Sequence, residues 1–442
     1  MPGARNDARK RRDWLGLATP SSARQRSRRR TGSNVSAVLL AAAAAVVVAV
    51  AIASGIAHAA HAPEMRAPIH EPRRLVWEEH VEDLERRNCF MRFYRMPLET
   101  FLKLAGLLRP HLERNAGMAE LRTSSGVIPV NIRLAVALRI LAGGSYLDVM
   151  VLFGLGQTTV FTILWEVIDA INKTPAVGGF FFPQTEAECK LAAGRWEKLS
   201  TNGVFTGVVA AVDGLFIRCK APTAKETANV TAYYSGSKSG YGINVQATCD
   251  SNMRFCNVST ISPGATNDWV AWNRSCLSRA AQQLPEDYYI IGDAAYPISN
   301  QLLTPYPGRG LQPGPDSFNF HLSQLRVKIE QSFGLLVATW GILWRRLGVQ
   351  FAGRPDLITA LFHLHNFLRD EKIDGVKLAE EDAETGRGRP VQGHDGRLTD
   401  ERWRSPTPAP SRSGSCGARL AIMLELVGNT QWRPDHNNKR NS

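Results

Sequence analysis

The 442-residue chain is poor in cysteine: seven residues, an odd number, with no Cys-x-x-Cys pair, the closest two being Cys249 and Cys256. That pattern argues against a zinc ribbon and against a disulfide framework, and fits a reducing compartment. Acidic residues are scarce at the start, where residues 1–30 hold two Asp against ten Lys and Arg. About +8 of the net charge of +13 therefore sits in those thirty residues, and the other 412 carry only about +5. The basic character belongs mainly to a tail, which points to nucleic acid, an import signal or a membrane surface. An apolar content of 44% is ordinary for a globular protein, and the length allows two or more domains.

Polar residues are missing altogether from Ala37 to Ala53, and the apolar run fades out by Ala57. It is at the short end for a membrane span, and Ala57-His58-Ala59 resembles a signal-peptidase site. Half the run is alanine, and the basic segment before it is long for a signal peptide, so an alanine-rich low-complexity stretch is the reading we favour. Residues 1–36 are expected to be a disordered basic tail, and residues 37–60 the apolar segment. Lys10-Arg11-Arg12 and Arg28-Arg29-Arg30 suit nuclear import or a plain solvated arm.

Helical periodicity begins near Arg73, and residues 73–201 read as an all-α region. Trp77, Val81 and Leu84 recur at helix spacing, and a second amphipathic helix starts after Pro97 and should close at Pro110. Tyr146 to Phe153, the turn Gly154-Leu155-Gly156, and Gln157 to Ile171 form a helix-turn-helix pattern. Base contacts would then fall to Gln157, Thr158 and Thr159. That second helix lacks Arg and Lys up to Lys173, so phosphate contacts would be few. A helical hairpin packed on the next domain is the preferred expectation.

Residues 204–372 alternate strands and helices, which implies a mixed sheet with helices packed on it. The apolar run Phe205 to Val212 ends in Asp213-Gly214 and reads as a buried strand. Leu215 to Cys219 reads as a second strand, and Gly242 to Ser262 as a hairpin about Asp250-Ser251-Asn252. Trp269 to Gln283 reads as one helix. Tyr288 to Gly292 is a strand that delivers Asp293, and Arg326 to Gly334 is helical and carries Glu330. Residues 373–442 are expected to be a disordered tail, with one apolar patch at Ala418 to Val427 that is either a small docking helix or nothing.

A carboxylate at the mouth of a core is costly unless it is paired or holds a metal. Two strand-end aspartates and a helix-borne glutamate, Asp213, Asp293 and Glu330, suit a magnesium- or manganese-dependent nuclease. Phosphodiester cleavage needs charge neutralised on the attacking and leaving oxygens, which two divalent cations about 3.5–4 Å apart can do. Asp213 would bridge both ions, and Asp293 and Glu330 would each complete one. Arg326 and Lys328 are placed to meet phosphates, as is Lys238 in the Gly/Ser turn between Tyr233 and Tyr241. Asp250 and Asp268 could assist the metal site, with loop or turn roles preferred; His363 and His365 could form a metal pair, with a packing helix preferred.

Residues 205 to 370 resemble the catalytic domain of Harbinger-type DDE transposases. The matching pieces are Ala211-Val212-Asp213-Gly214, Gly242 to Asp250, Pro263-Gly264-Ala265-Thr266-Asn267-Asp268, Gly292 to Pro297, Leu303-Thr304-Pro305-Tyr306, Phe318-Asn319-Phe320 through Gly334, and Leu364-His365-Asn366-Phe367. The resemblance implies a ribonuclease H-like fold with Asp213, Asp293 and Glu330 as catalytic metal ligands. It implies cut-and-paste transposition, in which water attacks a phosphodiester at the element end and the freed 3′-hydroxyl attacks target DNA. It also implies DNA as substrate, a homo-oligomer, a separate Myb-like DNA-binding partner and a nuclear location. Membrane association through residues 37–57 is the alternative, and would put the carboxylates across the membrane from DNA.

Two departures from the family stand out. The usual His-Asp-Ser reads Asn267-Asp268-Trp269, and the basic residues usual after the third carboxylate give way to Leu335-Leu336-Val337-Ala338. They keep open an alternative: a decayed or domesticated DNA-associated scaffold that retains the fold.

Overall fold

A computed structural model of the chain describes residues 73–115, 126–373, 415–429 and 431–433. The basic tail and the apolar run at 37–57 lie outside the described residues. Among the described residues no single helix is long and apolar enough to cross a membrane.

Helices come first: α1 (Trp77–Arg86), α2 (Phe90–Tyr94), α3 (Leu98–Leu112), α4 (Val130–Leu141), α5 (Tyr146–Phe153), α6 (Gln157–Lys173) and α7 (Glu186–Glu197). Helix α3 runs through Pro110 rather than stopping there, because Leu108 and Leu112, one turn apart, are both buried. Helices α5 and α6 meet at 103°. The turn between them depends on Gly154 at φ +61, where a side chain would overlap the carbonyl of Arg73. Val160, Ile163, Leu164, Val167, Ile168 and Ile171 line the buried stripe of α6, which packs against α4 and against α11 (Arg354–Asp370). The pair has helix-turn-helix shape, and its second helix is committed to the core.

The sheet contains β1 (Val208–Arg218), β2 (Tyr234–Ser235), β3 (Gly240–Cys249), β4 (Phe255–Pro263), β5 (Tyr289–Ile291) and β6 (Leu302–Leu303). Strand β1 is central, antiparallel to β3 and parallel to β5. Strand β4 lies antiparallel beyond β3, β6 parallel beyond β5, and β2 pairs with the start of β3. This mixed sheet, flanked by helices and preceded by a helical region, is the ribonuclease H-like arrangement expected.

Strand β1 corrects one expectation. It does not end at Asp213: its ladder with β3 runs unbroken from Ala211 to Arg218, so Asp213 lies inside an eleven-residue strand and Leu215 to Cys219 is no separate element. Glycine tolerates extended backbone, and the pairing on β3 carries the strand through Gly214. Helix 269–283 is likewise two helices, α8 (Asp268–Arg274) and α9 (Cys276–Gln282), divided where the Ser275 side chain caps α9.

Helices cover both faces. Val209, Ala210 and Val212 of β1 pack with Trp272, Leu277 and Ala281 of α8 and α9. The other face packs against α10 (Pro313–Thr339) and α11 in a core that also holds the helices from Trp77 onward. The described residues belong to one compact unit, so the change in architecture near residue 204 is not a break in the core. Within the expected tail at 373–442, the apolar patch is part of α12 (Ser415–Gly428), a small helix docked against α10. Its Ile422 and Leu426 are buried, enough apolar surface to dock a short helix.

Candidate active site

Register alone brings the two aspartates together. Ala211 of β1 pairs in parallel with Ile291 of β5, and two residues beyond each stand Asp213 and Asp293. Asp213 Oδ1 accepts a hydrogen bond from the Gly214 N–H at 2.8 Å, and Asp293 Oδ1 accepts from the Ala295 N–H at 2.9 Å. Burial pushes the Asp213 carboxyl up to about 7, and the Asp293 charge adds to the rise, against the opposing pull of Arg326 and the Gly214 N–H. Asp293 is raised by burial too, with Asp268 and Glu330 adding to it and Arg326 and the Ala295 N–H opposing. Two carboxylates that cannot comfortably ionise together thus share the end of β5.

Helix α10 crosses against β1 and brings Glu330 and Arg326. These are four residues apart, on one helix face, and Arg326 Nη2 pairs with Glu330 Oε1 at 2.9 Å. Arg326 is thus the cation that all three carboxylates share. Lys328 is two positions from each and lies on another face, where its charge favours the Cys249 thiolate. Lys238 is exposed in the β2–β3 turn, its carbonyl accepting from Arg218 Nη2 at 3.0 Å. Gly240 and Ala247, the partner of Asp213, are separated by seven residues of strand, about 24 Å at ~3.4 Å per residue. Of the three basic residues expected at the phosphates, Arg326 stands among the carboxylates; Lys238 and Lys328 do not.

The donor chemistry suits a divalent cation. Hard carboxylate oxygens repel one another in a partly buried setting, and a dication would relieve that repulsion. Among the described residues no three His, Cys, Asp or Glu side chains converge closely enough to hold a metal ion. Glu330 is engaged by Arg326, so Asp213 and Asp293 are the pair that would hold a cation, with Glu330 close enough to act on Asp293 through its charge.

Residues 212–366 match the family model described as DDE superfamily endonuclease, a stretch that contains Asp213, Asp293 and Glu330. This stretch is therefore similar to the DDE superfamily endonucleases. The chain is similar to Protein ALP1-like of Arabidopsis thaliana, 26% identical over 66% of this chain and 74% of the relative. It is similar to the Arabidopsis thaliana protein Antagonist of Like Heterochromatin Protein 1, 24% identical over 74% of this chain and 82% of the relative. It is also similar to Putative nuclease HARBI1 of Rattus norvegicus, 25% identical over 49% of this chain and 58% of the relative. The resemblance to Harbinger-type transposases is borne out. No solved structure matches the chain.

Several motif residues of the matched stretch are backbone clamps rather than chemistry. Asn319 accepts from the Tyr306 N–H at 2.7 Å and donates to its carbonyl at 2.9 Å, tying α10 to the segment after β6. His365 Nε2 contacts the Met253 carbonyl at 2.8 Å and His363 Nδ1 the Gly178 carbonyl at 3.2 Å, as packing residues do. Asp250 accepts from the N–H groups of Asn252 and Arg254 and closes the β3–β4 turn. Asn267, where the family has histidine, caps α8 by accepting from the Val270 N–H at 2.8 Å.

Asp268, at the first position of α8, is bonded across to β3. Its Oδ1 accepts from Asn244 Nδ2 and from Gln246 Nε2, both at 3.0 Å, and its charge reaches Asp213 and Asp293. Tyr296 Oη in turn donates to Gln246 Oε1 at 2.6 Å. The available signal was the polar pair Asn244 and Gln246, which share one face of an otherwise apolar strand.

Proposed function

We propose that the chain is a transposase-derived DNA endonuclease that depends on Mg²⁺ or Mn²⁺, cuts phosphodiesters at the ends of an element and transfers the strand to target DNA. The observation that carries this reading is the level pair of Asp213, in β1, and Asp293, two residues past the parallel strand β5, half-buried and mutually repelling within the stretch that matches DDE superfamily endonucleases. A divalent cation, when bound, neutralises charge on the phosphodiester oxygens and so favours attack by water or a 3′-hydroxyl. Asp213 and Asp293 hold the position for it, and Glu330 completes the set once its pairing with Arg326 gives way. Arg326, relieved of Glu330, faces the phosphate. Lys238 and Lys328 lie farther along the protein and suit contacts to the DNA backbone away from the cut. The partners proposed are DNA, further copies of this chain and a separate Myb-like DNA-binding protein, in the nucleus. The apolar commitment of α6 supports a separate reader of sequence.

The test is nicking of DNA carrying the element's ends by the purified full chain with Mg²⁺ or Mn²⁺. Wild type should nick, and Asp213→Ala should fall to background. A wild-type protein that never cuts, with or without a DNA-binding partner, defeats the reading.

The Arg326–Glu330 pair favours a second reading, a domesticated DNA-associated scaffold whose third carboxylate is held in an ion pair. Under it, wild type and Asp213→Ala would bind DNA equally and neither would cut.

A further inference from the structure

We propose that cations gathered at the far end of β1, Arg218, Lys220, Arg345 and Arg346, form a track for the phosphates of duplex DNA, joined to the carboxylates by an unpaired edge of that strand. The inference rests on the DNA reading above and adds a contact surface to it.

Strand pairing lays out the path. On the edge of β1 away from β3, β5 accompanies the strand only from Val208 to Ala211. The next partner on that edge is Leu347, opposite Cys219, in the segment after α10. Its N–H donates to the Arg218 carbonyl and its carbonyl accepts from the Lys220 N–H, both at 2.9 Å. Among the described residues no strand lies beside Val212 to Arg218 on this edge. Asp213 and Asp293 stand where β5 stops, and the cations stand where Leu347 takes over. Asp213 and Arg218 are five residues apart in extended strand, about 17 Å at ~3.4 Å per residue. Phosphates along one DNA strand are about 3.4 Å apart, so the path matches roughly five of them.

Charge collects at its far end. Leu215 to Tyr241 and Arg345 to Arg354 hold seven Lys and Arg against one Glu. That excess matches the whole of the roughly +5 carried outside the first thirty residues, so the charge of the rest of the chain nearly cancels. Contacts hold the cations together. Leu347 pairs between Arg218 and Lys220, a β-carbon at Gly348 would stand 3.7 Å from Lys220 Nζ, and Arg218 Nη2 reaches the Lys238 carbonyl. Lys220, Arg345 and Arg346 are exposed, and among the described residues neither they nor Arg218 pair with a carboxylate. Arg354 lies behind them, where its charge reaches Cys219 and Tyr233. It is 3% exposed, and its Nη1 has no hydrogen-bond partner among the described residues. Glu226 acts on Arg354 through its charge while its carboxylate accepts from Thr223. A buried cation without an ion pair is costly, and a polyanion laid across the patch would offset that cost. Duplex DNA fits better than an anionic membrane, because the cations and the carboxylates share one strand.

The test measures binding of the full chain to a short duplex by fluorescence anisotropy over a series of salt concentrations, with thermal melts of every variant. The basic tail adds the same background throughout. Arg345→Gln with Arg346→Gln should lower the salt slope by about two, one for each phosphate contact, and weaken binding roughly tenfold at moderate salt. Lys220→Gln alone should lower the slope by about one. Lys190→Gln with Lys198→Gln removes the same charge from exposed sites on α7, whose Cys189 packs at the start of β1, and should leave the slope within about half a contact of wild type. If wild type binds duplex while the Arg345 and Arg346 variant and Lys220→Gln keep its slope and stay within about twofold in affinity, the track is overturned and the DNA reading survives. An equal loss in the α7 variant also overturns it, by showing that total charge and not its place decides. Loss of binding to phosphatidylserine vesicles with duplex binding unchanged overturns it too, in favour of a membrane surface. If wild type binds no duplex at all, the DNA reading fails and takes the track with it.

Discussion

Asn366 and Phe255 exchange two hydrogen bonds: the Phe255 N–H donates to Asn366 Oδ1 at 2.8 Å, and Asn366 Nδ2 donates back to the Phe255 carbonyl at 2.8 Å. The same amide also donates to the Gly178 carbonyl at 3.1 Å, so one fully buried side chain joins α11, β4 and the connection after α6. Asn366→Ala leaves buried backbone groups unpaired and should destabilise the protein by roughly 3 kcal/mol or more. Urea unfolding at constant m-value checks it; a change below about 1 kcal/mol would mean that water replaces the amide.

His365, tilted against Phe255 with ring centroids 4.7 Å apart, is held neutral by burial, which lowers its pKa from the ordinary 6.5 to about 4 despite the bond to Met253. The unfolded chain takes up the proton first. The stability that comes from this group is complete above about pH 6.5 and is lost as pH falls toward 4. The loss should be of order 3 kcal/mol across that window. His365→Gln should flatten the slope there in a series of denaturant melts.

Asp213 has the opposite sign. Its pKa is raised to about 7 by burial, with Asp293 adding to the rise, so between about pH 4 and pH 7 the folded protein holds a proton that the unfolded chain has released. Without cation, stability from this group should fall as pH rises through that window, and Asp213→Asn should remove the fall. Saturating Mn²⁺ should do the same in the wild type, since a bound dication favours the ionised pair. Melting temperatures against pH, with and without Mn²⁺, test both statements.

Lys238 and Arg326 should separate cleanly in DNA binding. Lys238→Glu, on an exposed turn far along β3, should weaken binding to all duplexes and lower the salt slope by about one phosphate contact or more. It should leave the Asp213 titration in place. Arg326→Gln should shift that titration upward, because Arg326 opposes the rise of both aspartates. Fluorescence anisotropy at several salt concentrations, with carboxyl NMR titration, reads the two effects apart.

The apolar run before Asp213, the hairpin about Asp250 and the helix carrying Glu330 were legible because each has one dominant signal: a buried period, a turn sequence, a helical stretch. The extent of β1 was not. Asp213-Gly214 reads locally as a stop, and only the ladder with β3, some thirty residues away, shows that the strand continues. The contacts of Asp268 were not legible for the same reason. Its partners Asn244 and Gln246 lie more than twenty residues upstream on another strand, and its place against Gly214, where a side chain would overlap its Oδ1, exists only once α8 is laid there. That α12 could dock was legible from its apolar patch; the face it covers was not, because a short patch inside a polar, proline-rich stretch carries no information about its partner.

Helix α6 is embedded in the same interior as α11, and this limits how such a protein can change its habits. The helical half cannot be swapped out like a cassette without opening the sheet domain beneath it. On the proposed function, new target preference would then come by point changes on an outer rim, or be borrowed from a second polypeptide that does the reading. The weld between the two halves would thus favour division of labour between proteins.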